Sequence, residues 1–303
     1  MLKILANDGM DKSAVQHLQE LGHEVVLNSY SVEELKTQLR NFDCIVVRSA
    51  TKIRKELIDT IVGSKLKLIV RAGVGTDNID VEYAEANGIR VRNTPNSSSA
   101  SVAELTIGHI LALVRFINIS NVTLRKGEWN KKAYKGSEIV GKTLGLIGFG
   151  RIGKEVAKKA LALGIKVKYT DILGESNEIP ECQYLSEEEL LKTSDFISLH
   201  IPFKKELGPT ICRDKIAMMK DGVYIINCAR GGVVCEDSLL EALNSGKVAG
   251  AGIDVFAEEP SQNMELINHP RVSATPHIGG STAEAQQRIG VETLSVILEE
   301  LAK

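Results

Sequence analysis

Three polar side chains stand just past runs that read as buried strands: Arg230 after IINCA, Glu259 after IDVFAE and His277 after SATP. A carbonyl reduced at carbon leaves an alkoxide, so such a site needs a cation to hold an anionic substrate and a proton donor for the new oxygen. Arginine offers a planar fork for a carboxylate, with a charge that does not depend on pH. Histidine can supply the proton near neutral pH, and an acid beside it favours the imidazolium. Acid catalysis of this kind is worth roughly 10²–10⁴ in rate. Singly, each residue has a plain structural explanation: a loop histidine after Pro276, a solvated acid before Pro260, a turn arginine before Gly231-Gly232. Their joint placement argues for a site.

That joint placement requires one parallel sheet, whose strands all end on the same edge. The stretch TLGLIGFGRIGKEVAKKALALGIKVKYTD, Thr143 to Asp171, supplies its centre. It reads as a strand, a turn with Gly148, Gly150 and Gly153, a helix with apolar Val156, Ala157, Ala160, Leu161 and Leu163, and a second strand ending on an acid. The glycines let a helix N-terminus point bare N–H groups at a pyrophosphate. Asp171 stands where a carboxylate accepts hydrogen bonds from a ribose and repels a 2′-phosphate. Ile172 and Leu173 follow it rather than Arg or Lys, so NAD is expected rather than NADP.

Downstream, DFISLHIP, GVYIINCAR, VAGAGIDVF and VSATPH continue the sheet, and EDSLLEALNSG reads as a helix stopped by Gly246. SLHIP ends in His200, Ile201 and Pro202, where the dinucleotide could lie; packing is the plainer role for His200, as for His17, His23, His109 and His269. Upstream, LKILAN, HEVVLN, DCIVVRS, LKLIVRAG and IRVRNTP alternate with helical patterns and make a first parallel sheet. Two of its strand ends carry Arg48-Ser49 and Arg71-Ala72-Gly73-Val74-Gly75; Gly73 and Gly75 would let backbone amides approach an anion, and a solvated surface charge is the competing explanation for each arginine. The polar run NTPNSSSAS is a candidate hinge. The apolar helix opening at Val102 is expected between domains or subunits. An irregular arm then holds Trp129 beside Lys131 and Lys132, suited to another surface or to its own domain. The tail from Thr282 is expected to return to the first sheet.

With 303 residues, 43% hydrophobic and 25% charged, the chain has room for two domain cores. A net charge of -2 gives no global pull toward nucleic acid or anionic membrane, so a small-molecule partner is expected. Five cysteines show no metal spacing and read as reduced thiols of a cytoplasmic protein, and no metal is expected. Neither a signal peptide nor a membrane span is indicated.

Four motifs occur in order: GFGRIG with Asp171, NCARGG (227–232), IDVFAEEP (253–260) and TPHIGGST (275–282). Together they resemble the D-isomer-specific 2-hydroxyacid dehydrogenases. RSATKI (48–53), RAGVGTDNID (71–80), NTP (93–95) and AELTIG (103–108) resemble the D-3-phosphoglycerate dehydrogenase branch in particular. The resemblance implies an α/β fold of two doubly wound parallel-sheet domains: an NAD-binding Rossmann domain, 98–282, inserted into a flavodoxin-like substrate domain, 1–97 plus 283–303. It implies Arg230, Glu259 and His277 as the catalytic set. Around NAD it places Gly148, Gly150, Arg151, Ile152, Gly153, Asp171, His200, Ile201, Pro202, Cys228, Ala229, Arg230, Asp254, His277, Gly279 and Gly280. Around the substrate it places Arg48, Ser49, Gly73, Val74, Gly75, Lys131, Arg230 and His277. It also implies a homodimer through the NAD-binding domain.

The implied reaction is NAD-dependent oxidation of D-3-phosphoglycerate to 3-phosphohydroxypyruvate, at the entry to serine biosynthesis. The alternatives are a hydroxypyruvate/glyoxylate reductase or broad D-2-hydroxyacid dehydrogenase and, from another class, an NAD(H)-sensing corepressor-like protein. Two departures bear on substrate: Val74 replaces a hydroxyl residue of some relatives, and Ser97-Ser98-Ser99 replaces an Asn-rich loop. The sequence ends at Lys303, where longer relatives continue, so no serine-feedback domain is expected.

Overall fold

The computed structural model describes Met1–Leu301; Ala302 and Lys303, the end of the expected 283–303 segment, lie outside the described residues. The chain divides into two compact units, one of Met1–Ser98 with the chain from Gly280 onward, the other of Ser99–Gly279. The division falls inside the serine-rich run. Those serines are buried rather than solvated: Ser97, Ser98, Ser99 and Ser101 are each less than a tenth exposed.

In the first unit, β1 (Lys3–Ala6), β2 (Glu24–Val26), β3 (Cys44–Val47), β4 (Leu68–Arg71) and β5 (Arg90–Asn93) form a parallel sheet in the order β2-β1-β3-β4-β5. Every residue of β3 is buried, as a strand covered on both faces demands. One face packs Leu35, Leu57, Ile58 and Ile61 over Ile45 and Ile69. The other takes the C-terminal helix Ala283–Leu301 through Ile289 and Ile297 against Ile4, Val46 and Val70, so the tail returns to this sheet. Glu300 fastens that helix by accepting from Arg90 at 2.7 Å and from Arg92 at 2.7 Å.

In the second unit, β6 (Thr143–Ile147), β7 (Lys166–Thr170), β8 (Gln183–Tyr184), β9 (Phe196–Leu199), β10 (Val223–Asn227), β11 (Val248–Ile253) and β12 (Val272–Ala274) form a parallel sheet in the order β12-β11-β10-β9-β6-β7-β8. The order reverses around β6, the topological switch where open α/β sheets bind ligands. The short edge strand β8 carries no apolar run, which is why the sequence pattern passes over it.

Helix Ser99–Val114 is a core element of this unit. Val102, Ala103, Ile107, Ile110 and Val114 pack with Val156, Ala157 and Ala160 of helix Arg151–Ala162 on one face of the sheet. A helix apolar on several sides signals burial without saying against what. Helix Ile117–Arg125, by contrast, has no buried residue; it meets the sheet through Asn118, which donates to the Ser273 hydroxyl at 2.6 Å, and Trp129 beyond it is 81% exposed.

Candidate active site

The carboxyl ends of β6, β7, β9, β10, β11 and β12 share one edge of the second sheet. At the first of them the chain turns through Gly148, with φ of 96°. A Cβ there would sit 2.6 Å from the His200 carbonyl oxygen, so the position demands glycine on both conformational and spatial grounds. A Cβ at Gly153 would lie 2.3 Å from the Gly148 carbonyl oxygen, whereas one at Gly150 would meet open space. The first and third glycines therefore seat the helix on the strand, and the second leaves room in front of it. Helix Arg151–Ala162 begins at Gly150 without a side-chain cap, which leaves the N–H groups of Arg151 and Ile152 for an anion.

Asp171, at the end of β7, accepts from the Phe149 N–H at 2.6 Å and the Leu173 N–H at 2.9 Å. The glycine turn thus aims the carboxylate while leaving it able to accept more. Gly148, Gly150, Asp171, His200, Ile201 and Pro202 line one cavity of about 510 Å³. His200 is half-buried there, its Nε2 bonded to the Ser198 hydroxyl at 3.0 Å, and the desolvation of its ring pushes its pKa down to about 4, so the ring is neutral. Lys204 and Lys215 reach the same cavity from outside the motif, with Lys215 held by Glu187 at 2.6 Å. An uncapped helix start, a glycine cradle and an acid at the second strand end fit NAD.

The β10 end is shaped by Asn227, whose side chain donates to the Arg230 carbonyl at 2.9 Å and accepts from the Ala229 N–H at 3.1 Å. Cys228 and Ala229 are buried beneath this turn, and Arg230 emerges half-buried. At the next position a Cβ would lie 1.7 Å from the Phe256 carbonyl oxygen. Gly231 is therefore obligatory, and it brings the arginine turn into backbone contact with the loop after β11.

That loop carries Glu259, which accepts from the Phe256 N–H at 3.1 Å and meets His277 Nδ1 at 2.7 Å. Glu236 holds the same loop from the side by accepting from the Ala257 N–H at 2.8 Å. Burial by itself would raise the Glu259 pKa. The His277 bond and charge, the Phe256 amide and the Arg230 charge outweigh it and hold the carboxyl below its ordinary value. The His277 and Glu259 side chains are 40% and 37% exposed, so substrate could reach them. With Nδ1 engaged, His277 keeps Nε2 without a partner among the described residues.

His277 has φ of 54°, unusual for a residue with a side chain. It is held there by Asp254, which is only 1% exposed at the end of β11. Its carboxyl group accepts from the Thr275 hydroxyl at 2.6 Å and from the Ile278 and Gly279 N–H groups at 2.8 Å each. These bonds bracket His277 on both sides. Asp254, which the family resemblance places near the cofactor, organises the histidine loop through these bonds.

The structure brings Arg230, Glu259, His277, Asp254 and Gly279 together with the glycine cradle in the second unit. Gly280 falls in the first unit, where its carbonyl accepts from Gln286 at 2.7 Å. Lys131 lies in an exposed turn, Lys131–Ala133. Arg48, Ser49, Gly73, Val74 and Gly75 follow β3 and β4 of the first unit. The Arg48 N–H is fixed to Asp8 at 2.7 Å, and Arg48 lines a cavity of about 440 Å³ with Lys12, Ala72, Gln286 and Thr293. Asn227, Gly231 and Asp254's loop bonds escape sequence reading because they act across turns; the paired glycines after Arg230 are the one local signal.

Residues 107–279 match the model of the D-isomer specific 2-hydroxyacid dehydrogenase NAD binding domain. Over 305 residues the chain is 48% identical to a hydroxypyruvate reductase of Thermotoga maritima, covering 99% of this chain and 98% of that one. It is 43% identical to a D-3-phosphoglycerate dehydrogenase of Methanocaldococcus jannaschii, covering 100% of this chain but 57% of the relative. Its fold matches, with a TM-score of 0.83 and 34% identity over 99% of this chain and 97% of the other, the D-lactate dehydrogenase of Aquifex aeolicus complexed with NAD and lactic acid.

Gly148→Ala is expected to cost roughly 1–3 kcal/mol of stability through its backbone conformation alone, and to weaken NADH binding measured by fluorescence titration; unchanged affinity would remove the turn from the cofactor site. Glu259 tests the catalytic loops. Because its native pKa is lowered, its ionised form stabilises the fold above the ordinary carboxylate range, and that contribution is lost as pH falls through the native value. The urea midpoint of Glu259→Gln should therefore lie below wild type at neutral pH and converge with it in acid. A gap independent of pH would show that ionisation of Glu259 adds nothing to stability.

Proposed function

Since the chain belongs to the D-isomer specific 2-hydroxyacid dehydrogenase family and is an NAD-dependent enzyme, we propose that it oxidises D-3-phosphoglycerate to 3-phosphohydroxypyruvate, the first step of serine biosynthesis. The supporting observation is the cavity of the first unit, where Arg48 and Lys12 stand beside Asp8 and Asp11. Both carboxylates are engaged by backbone N–H groups, Asp8 by those of Arg48 and Thr51 and Asp11 by those of Ser13 and Ala14, which leaves the two cations for a phosphate. A second reading, reduction of hydroxypyruvate or glyoxylate, is favoured by the 48% identity to a hydroxypyruvate reductase along nearly its whole length.

Either reading uses the same residues. Gly148, Gly150, the N–H groups of Arg151 and Ile152, and Asp171 would hold NAD, which when bound accepts a hydride from the substrate carbon, or as NADH donates one. Arg230 grips the substrate carboxylate. His277 exchanges a proton at the substrate oxygen through Nε2: as a base when the hydroxyl is oxidised, as an acid when the carbonyl is reduced. Glu259 fixes the ring by its bond to Nδ1, and a carboxylate so placed stabilises the charge that the ring acquires. We infer likewise that the protein works as a homodimer through the arm carrying the exposed Trp129, and in the cytoplasm, where its five free cysteines stay reduced.

The test is NADH consumption with phosphohydroxypyruvate, hydroxypyruvate and glyoxylate. The phosphorylated substrate is expected to give the highest kcat/KM; equal values on all three would overturn the phosphate assignment. Arg48→Ala should raise KM for phosphohydroxypyruvate by about 10–100-fold, the worth of a charged hydrogen bond, and leave glyoxylate little changed. An unaltered KM would remove Arg48 from the site.

A further inference from the structure

His109 lies in helix Ser99–Val114, 2% exposed, yet both ring nitrogens have partners: Nδ1 meets the Ser273 hydroxyl at 2.7 Å and Nε2 the Thr275 hydroxyl at 3.2 Å. The opposing strand makes room for it, since a Cβ on Gly252 would lie 2.7 Å from His109 Cβ. A ring at this depth, admitted by a glycine and bonded at both ends, is more than filler.

The protons in this chain can be assigned one by one. Asp254 accepts from two backbone N–H groups, so the hydroxyl between it and the ring, that of Thr275, spends its one proton on Asp254. Thr275 Oγ1 can then only accept from the ring, which places the His109 proton on Nε2. Asn118 Nδ2 donates to Ser273 Oγ at 2.6 Å, so Ser273 in turn donates its proton to His109 Nδ1. The donors run in one direction: Asn118 to Ser273 to His109 to Thr275 to Asp254. A ring protonated at both nitrogens would break this order by setting two donors on Ser273. Burial agrees, holding the His109 pKa below the ordinary histidine value against the opposing charge of Asp254.

Resting on the activity proposed above, we infer that His109 is a positioning residue for His277, acting as a neutral, Nε2-protonated link that orients the Thr275 hydroxyl on Asp254 and so sets the loop that carries His277. Its ring nitrogens are taken up by Ser273 and Thr275, so it acts through them. With the link cut, Thr275 is free to turn away, Asp254 loses one of its three donors, and the left-handed backbone at His277 loses part of what holds it. Displacement of a catalytic group by about 1 Å can cost roughly a hundredfold in rate.

The experiment is a double-mutant cycle of His109→Leu and Thr275→Val in the full chain, with His109→Gln as the conservative variant whose amide can still donate toward Thr275. Each single substitution is expected to lower kcat about 10–100-fold with the NADH dissociation constant within about twofold of wild type. The double variant should be no slower than the slower single one, and His109→Gln should recover most of the loss. Additive losses, or a His109→Leu enzyme with wild-type kcat, would overturn the inference. Amide exchange at Ile278 and Gly279 gives a readout that needs no turnover: it should quicken in both single variants. Should the wild type consume no substrate, the proposed activity fails, while the exchange result still decides the link; unchanged exchange would sink it.

Discussion

A carboxyl group with almost no access to water must find its hydrogen bonds inside the protein, because leaving them unmade costs several kcal/mol. Asp254, at the end of the strand beside Arg230's, is such a group, and the loop it recruits is the one carrying His277. The histidine holds an unusual backbone conformation because the donors on either side of it are spoken for. Around this fixed point the remaining parts are brought in by contact. Gly231 lets the arginine turn touch the loop after β11, and Glu259 closes that loop onto the ring of His277. The cation, the acid and the proton carrier are therefore mutually placed by backbone geometry, and their own side-chain bonds complete the arrangement.

The same edge of the sheet serves cofactor and chemistry, and the two are built by different means. The cofactor side is mostly backbone: glycines where a Cβ would strike a neighbouring carbonyl, and an uncapped helix start. Its one aimed carboxylate, Asp171, is oriented by the turn it faces. The chemical side depends on side chains that reach across turns, and its support runs outward through Thr275 and His109 to a helix packed behind the sheet.

Much of this was legible in the residues. Strand runs, glycine spacing and the acid ending β7 marked the nucleotide-binding unit, and the apolar stripe of the last helix marked its return to the first sheet. Arg230, Glu259 and His277 could be singled out because parallel strands share an edge. What escaped has a common physical character. Gly231 matters because of a carbonyl on another loop, Gly252 because of a ring on a helix, and Asn227 because its side chain folds back on its own turn. Local pattern carries no trace of a partner many residues away. Helix Ser99–Val114 shows the same limit: its apolar faces announced burial, but only the packed structure reveals that the partner is helix Arg151–Ala162.

On the reading proposed above, this assembly presents one nitrogen, His277 Nε2, to exchange a proton with a substrate oxygen. The most direct measurement is turnover and NADH binding by His277→Gln, with hydroxypyruvate or phosphohydroxypyruvate as substrate. A loss of roughly 10²–10⁴ in kcat is expected, with NADH affinity retained. A His277→Gln enzyme that reduces its substrate at the wild-type rate would contradict it.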